Sequence, residues 1–141
     1  MTERLLIKEY STWIILLHEN QCYLGRCVIK CKRNVIDLFD ITKEEEEEFF
    51  EIAKNLRDIL KQLFKPDLFN YASLGNVNPQ LHIHFIPRYK EKRIFEGFEF
   101  FDKSWGQNYA PYEDFKISQE LMLKISDKIK ENLDSSVIKP K

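Results

Sequence analysis

The sequence predicts an α+β fold, an antiparallel sheet of about five strands with two helices. Two observations carry that prediction. Short stretches with β-type composition or alternation are separated by two longer stretches with helical spacing. Their order is strand, strand, helix, two or more strands, helix, which lacks the regular strand–helix alternation of a parallel sheet. The 141 residues fit a single domain over residues 1–141.

Thr12–Glu19 (TWIILLHE) is a short apolar run rich in β-formers. In the following QCYLGRCVIKCKRN, Tyr23, Gly25, Cys27, Ile29 and Cys31 fall on one side of an extended chain, so residues 21–34 read as its hairpin partner, joined through a turn at Glu19-Asn20-Gln21. Thr42-Lys43-Glu44-Glu45 has the form of a capping box. Five consecutive glutamates, 44 to 48, then occupy the first turns of a helix, where negative charge suits the dipole. Phe49, Ile52, Ala53, Leu56, Ile59, Leu60 and Leu63 share its apolar face, and Pro66 closes it. Leu68–Leu74 and Gln80–Arg88 read as strands joined by the loop from Gly75 to Pro79. A final helix over about Ser118–Leu133 has Ser118 as cap and Leu121, Met122, Ile125, Ile129 and Leu133 on one face. The tail beyond about residue 133 is expected to fray.

Hydrophobic residues make up 43% and charged residues 32% of the chain, and the formal net charge is −1. That balance suits a soluble globular protein and supplies no basic field for nucleic acid. The absence of a long apolar run argues against a membrane partner, and the N-terminal MTERLLIKEYST does not read as a signal peptide. The three cysteines, Cys22, Cys27 and Cys31, form no Cys-x-x-Cys pair and read as free thiols, consistent with a cytoplasmic protein.

Candidate chemistry concentrates in Asn78–Tyr89, NPQLHIHFIPRY. On a strand, Leu81, Ile83 and Phe85 face one way, toward the core, and Gln80, His82 and His84 face the other. Two imidazoles in one polar row admit three readings. One is a nucleophile whose second ring nitrogen is fixed by a carbonyl. Another is a pair of metal ligands, completed by a third such as His18 or an acidic residue. The third is a pair of ordinary half-buried strand residues.

The block Gln80-Leu81-His82-Ile83-His84-Phe85-Ile86-Pro87-Arg88 resembles the signature of the histidine triad (HIT) family, His-φ-His-φ-His-φ-φ with φ hydrophobic, often followed by Pro-Arg; Gln80 stands in place of the first histidine. Asn70 and Gly75-Asn76 resemble the family's upstream Asn and glycine loop. Gly25-Arg26-Cys27-Val28-Ile29 and Lys32-Arg33-Asn34 resemble its Gly-His strand start and basic run, with Arg26 in place of the histidine. The likeness covers about residues 10 to 90.

The resemblance implies a nucleotide hydrolase or transferase that cleaves at the α-phosphate of purine nucleotide conjugates, dinucleoside polyphosphates or nucleotide phosphoramidates, through a nucleotidyl-histidine. It implies His82 as nucleophile, the Gln80 carbonyl as its orienting partner, and His84 as hydrogen-bond donor to phosphate or leaving group. Asn70, Asn76 and Arg26 would bind the nucleotide. No cofactor is implied, a divalent cation entering through the substrate's phosphates, and a homodimer extending the sheet is expected. The alternatives are a metal-dependent enzyme built on His82 and His84, and a non-catalytic nucleotide-binding protein on the same fold. Outside the signature, His18 reads as a strand-end histidine, Arg88 as a strand terminus, and Trp105–Tyr112 (WGQNYAPY) as either a loop capping the core or a lid over the site.

Overall fold

The computed structural model describes residues 4–135. Strands β1 (Leu5–Glu9), β2 (Trp13–Leu17) and β3 (Cys27–Cys31) precede a single 3-10 turn at Leu38–Asp40 and helix α1 (Lys43–Phe64). Then come β4 (Leu68–Ala72), β5 (His82–Arg88), a short hairpin of β6 (Arg93–Phe95) and β7 (Phe98–Phe100), and helix α2 (Gln119–Ser135). The main sheet has five strands in the order β1-β2-β3-β5-β4, every neighbouring pair antiparallel. The α+β architecture with two helices is the one the sequence predicts.

Strand alternation divides the sheet into two faces. One carries Trp13, Ile15, Leu17, Cys27, Ile29, Cys31, Ile83 and Phe85, all buried in a core completed by Ile52, Leu56 and Leu60 of α1 and Ile125 and Ile129 of α2. The other face holds the histidines. The α1 cap forms as a full capping box: Glu45 N–H donates to Thr42 Oγ1 at 3.1 Å, and Thr42 N–H donates to a Glu45 carboxylate oxygen at 2.8 Å. Ser118 Oγ accepts from Leu121 N–H at 3.1 Å and caps α2. That helix continues through Ser135, past the expected point of fraying; residues 136–141 lie outside the described residues.

The sequence reading overextends the partner strand. Only Cys27–Cys31 of the expected 21–34 is strand. Residues 21–26 instead form a buried turn that Gln21 organises: its amide donates to the carbonyls of His18 and Arg26 at 2.8 and 2.9 Å, and its Oε1 accepts from Gly25 N–H at 2.8 Å. Gly25 sits at φ +87, and a Cβ there would stand 2.9 Å from the Phe64 ring. Both conformation and space therefore call for glycine. Two strand pairs went unread. β1 is a short edge strand whose register shifts between Leu6 and Lys8. β6–β7 turns through Glu96 and Gly97, both at positive φ.

Candidate active site

Strand β5 sets His82 and His84 on the polar face, opposite Lys30 and Val28 of β3. Nδ1 of His82 lies 2.7 Å from the backbone carbonyl oxygen of Gln80. A carbonyl can only accept, so Nδ1 carries a proton, and in the neutral ring the free lone pair is on Nε2. The Gln80 side chain turns away, its amide donating to the Cys31 carbonyl at 2.9 Å. That contact bridges the approach of β5 to β3, and the backbone beside the Gln80 carbonyl is held by Leu81, whose N–H donates to the Val35 carbonyl at 2.8 Å.

The His84 ring centroid is 5.1 Å from that of His82. Arg26, just before β3, faces His84 across the sheet, with Nη2 3.3 Å from His84 Nδ1. A guanidinium only donates, so Nδ1 of His84 accepts and its proton rests on Nε2. Burial, and then the Arg26 charge, push the His84 pKa down to about 3. His18 directly follows β2, and its ring lies 5.7 Å from His84. Its Nδ1 accepts from Asn20 N–H at 3.0 Å, and burial followed by the charges of Arg26 and Arg4 lowers its pKa to about 2. Glu19 lies 3.7 Å from the same nitrogen, yet the ring is neutral and that carboxylate pairs with Arg4 at 2.8 Å.

Asn70 lies on β4, opposite Ile86 and so on the histidine face, and its Oδ1 accepts from Arg88 Nη1 at 2.8 Å. Arg88 does far more than end the strand. It pairs with both Asp102 oxygens at 2.7 and 3.1 Å and donates to the carbonyls of Ser104 and Gln107 at 2.7 and 2.9 Å. This buried network ties the segment after β7 to β5. Further along, the Tyr23 hydroxyl donates to the Tyr109 carbonyl at 2.5 Å, and Asn20 Nδ2 to the Glu113 carbonyl at 2.7 Å. Tyr109 and Tyr112 are thereby set over Arg26, at 5.7 and 4.5 Å from its guanidinium carbon.

Gln80, His82, His84 and Arg26 thus come together, and Asn70 joins the same face. Asn76 stands exposed on the β4–β5 loop, and among the described residues no hydrogen bond ties its side chain to the others. Arg26, readable in sequence as a surface cation, is buried at 2% exposure. His18 and Asp102 were missed as members of this layer, whereas Tyr109 and Tyr112 belong to the Trp105–Tyr112 segment that the sequence offered as a core cap or a lid, and they lie over Arg26. The pairing of β2 with β3 could have placed His18, since its N–H bonds the Arg26 carbonyl at 3.0 Å. The donor set suits a metal poorly. The carbonyl contact would orient His82 toward an ion, but Arg26 occupies one nitrogen of His84 and leaves the other protonated, without a lone pair. Among the described residues no three His, Cys, Asp or Glu side chains are grouped to hold a metal.

A HIT domain model matches residues 4–91, more than half of the chain, and the protein belongs to the HIT, or histidine triad, family. Among relatives, bis(5'-adenosyl)-triphosphatases of Saccharomyces cerevisiae strains are 30% identical over 72 residues, 48% of this chain. The match spans only about a third, 35%, of those relatives' length. Solved structures share the fold. A histidine triad protein from Bradyrhizobium japonicum superposes with a TM-score of 0.77 at 17% identity, covering 92% of this chain and 90% of that one. One from Marinobacter aquaeolei gives 0.74 at 19% identity, with 94% and 90% coverage. A zinc-bound family member from Mycobacterium smegmatis gives 0.64 at 16% identity, with 95% and 88% coverage.

Proposed function

We propose that this protein is a nucleotide hydrolase or transferase in which His82 attacks the α-phosphorus of a purine nucleotide conjugate. The observation that carries the reading is the 2.7 Å contact between His82 Nδ1 and the Gln80 carbonyl. It holds the Nδ1 proton, so that the neutral form of the ring presents a bare Nε2, the form that can attack phosphorus. The Nε2 lone pair forms the N–P bond, the bond from phosphorus to the leaving atom breaks, and the pair leaves with that atom. The ring becomes cationic, and its Nδ1 proton stays on the ring, hydrogen-bonded to the Gln80 carbonyl, which stabilises the charge. Water or another acceptor then attacks phosphorus, its proton passes to solvent, and the N–P electrons return to Nε2.

His84 Nε2–H serves as a donor to a phosphate oxygen or the leaving group, and Asn70, Asn76 and Arg26 bind the nucleotide. Since only the Gln80 carbonyl is needed, loss of the first histidine does not forbid this chemistry. Dinucleoside polyphosphates and nucleotide phosphoramidates are the candidate substrates, the first class supported by the name of the yeast relatives. No cofactor is required; a divalent cation acts only by pairing with substrate phosphates.

A homodimer follows the same reading. β4 is an open sheet edge, and beside it Tyr71, Phe39, Phe49, Phe50 and Phe85 line an apolar trough of about 740 Å³. A second copy seated there would cover both. Light scattering should give the mass of two chains, and a monomer at high micromolar concentration rejects that part.

The function is tested with a panel of adenylated and guanylated conjugates, scored for mononucleotide release with and without exhaustive chelation. Release should survive chelation, and a base-quenched reaction should carry one nucleotidyl mass on the peptide containing His82. Activity that vanishes on chelation, returns with stoichiometric zinc and leaves no adduct would establish the metal route instead.

A further inference from the structure

Two arginines are buried on the polar face, and they differ in one respect. Arg88 has its guanidinium answered on every side, by Asp102, Asn70, Ser104 and Gln107. Arg26 is just as buried, 2% exposed against 3%, and among the described residues it has no carboxylate partner. Among those residues its Nε and Nη1 are buried without any hydrogen-bond partner, and Nη2 has only the His84 nitrogen at 3.3 Å. Its charge is covered instead by the Tyr112 ring, 4.5 Å from the guanidinium carbon, and more distantly by Tyr109. A buried guanidinium with unused donors and no counterion is poised for an anion from outside.

The cover is built to be exchanged. Tyr112 is 39% exposed. The backbone on either side of it is held, by the Tyr23 hydroxyl at Tyr109 and the Asn20 amide at Glu113. Rotation of the Tyr112 ring would remove the nearer of the two covers without displacing the segment.

We propose that Arg26 determines the leaving group: it receives the departing phosphate chain of a nucleoside polyphosphate in exchange for the Tyr112 ring, so that phosphoanhydrides are cleaved in preference to phosphoramidates. This rests on the His82 reading above. When His82 Nε2 bonds the α-phosphorus, the bond from that phosphorus to the bridging oxygen breaks and its electron pair stays on the departing phosphate. That product carries extra negative charge and needs a cation, not a proton. Arg26 supplies the cation in a fork that matches phosphate oxygens. A phosphoramidate needs the opposite, since its nitrogen must gain a proton to leave as an amine. Arg26 cannot release one, and its charge repels an ammonium, while burial first and that charge second keep His84 neutral. His84, with a pKa near 3, is not an imidazolium at neutral pH.

Two measurements test this. Calorimetry with inorganic pyrophosphate should show binding to the wild type, at least ~10-fold weaker binding to Arg26→Met, little change in His82→Ala, and tighter binding to Tyr112→Ala. The second compares kcat/KM for diadenosine triphosphate and adenosine 5'-phosphoramidate. Arg26→Met should lose about 100-fold more on the anhydride than on the phosphoramidate, the scale of losing a preorganised charge donor. Met fills the volume without a charge, so the fold should persist; Arg26→Gln serves as second variant, with circular dichroism checking both. Equal pyrophosphate binding by wild type and Arg26 variants, no binding by the wild type, or equal losses on both substrates would overturn the proposal. If wild type cleaves no conjugate of the adenylated and guanylated panel, the His82 reading fails, and the pyrophosphate titration still decides Arg26.

Discussion

Nδ1 of His82 and the carbonyl oxygen of Gln80 are 2.7 Å apart, while the Gln80 side chain is engaged elsewhere, on the Cys31 carbonyl. Main chain and side chain of one residue thus have separable tasks. His82→Ala should lower kcat/KM by at least ~10³, the scale of a lost covalent nucleophile. Gln80→Ala keeps the carbonyl and loses one hydrogen bond, so it should cost far less, with a stability loss of about 1 kcal/mol. Gln80→His should be tolerated. Kinetics of the three variants on one substrate decide the matter. A Gln80→Ala loss as deep as that of His82→Ala would place the amide itself in the reaction.

The Arg88–Asp102 pair leads to a prediction about stability. Its side chains are 3% and 0% exposed, and Asp102 also accepts from the backbone N–H groups of Tyr89 and Ser104 at 3.1 and 3.0 Å. Asp102→Ala would leave a guanidinium buried without its counterion, so it should cost roughly 3–5 kcal/mol and lower Tm by ~10 °C. Arg88→Met with Asp102→Leu removes both charges and should recover part of the loss. Chemical denaturation of the single and double variants gives the answer. An Asp102→Ala protein as stable as wild type would mean that the segment after β7 is held by its other contacts.

Legibility in the sequence followed the range of the contacts. The α1 capping box lies within four residues and was readable whole. The facing of His82 and His84 follows from alternation along one strand, and so was readable too. The partners of those histidines were not. Arg26 and His84 are 58 positions apart, and only the register of β3 on β5 brings them together. Arg26 could not be recognised as buried, because nothing local says that Tyr109 and Tyr112 fold back over it. The overlong second strand failed for a different reason: Gln21 uses its side chain to build a turn that alternation cannot reveal. Glu96-Gly97 between Arg93–Phe95 and Phe98–Phe100 is a hairpin signal, masked by the irregular spacing of the surrounding phenylalanines.

The depressed pKa values of His84 and His18 fix the direction of a pH effect on stability. Both groups fall from 6.5, to about 3 and about 2, through burial first and neighbouring positive charge second. Between pH 6.5 and those values the unfolded chain binds protons that the folded chain refuses. Their stabilising contribution is therefore complete above pH 6.5 and is lost as pH falls. The slope approaches at most about 1.4 kcal/mol per pH unit for each histidine. Glu45, lowered to about 2 chiefly by its hydrogen bonds with Arg33, acts in the same direction, but only below pH 4.5. The interval from pH 6.5 to 5 therefore isolates the histidines. Urea unfolding at pH 7, 6 and 5 should show stability falling with pH in the wild type. His18→Asn keeps an acceptor for Asn20 N–H and removes one titrating ring, so it should reduce the slope by about half. His18→Asn with His84→Asn should make it nearly flat. A double variant that loses stability between pH 7 and 5 as steeply as the wild type would show that these two rings are not the groups refusing protons.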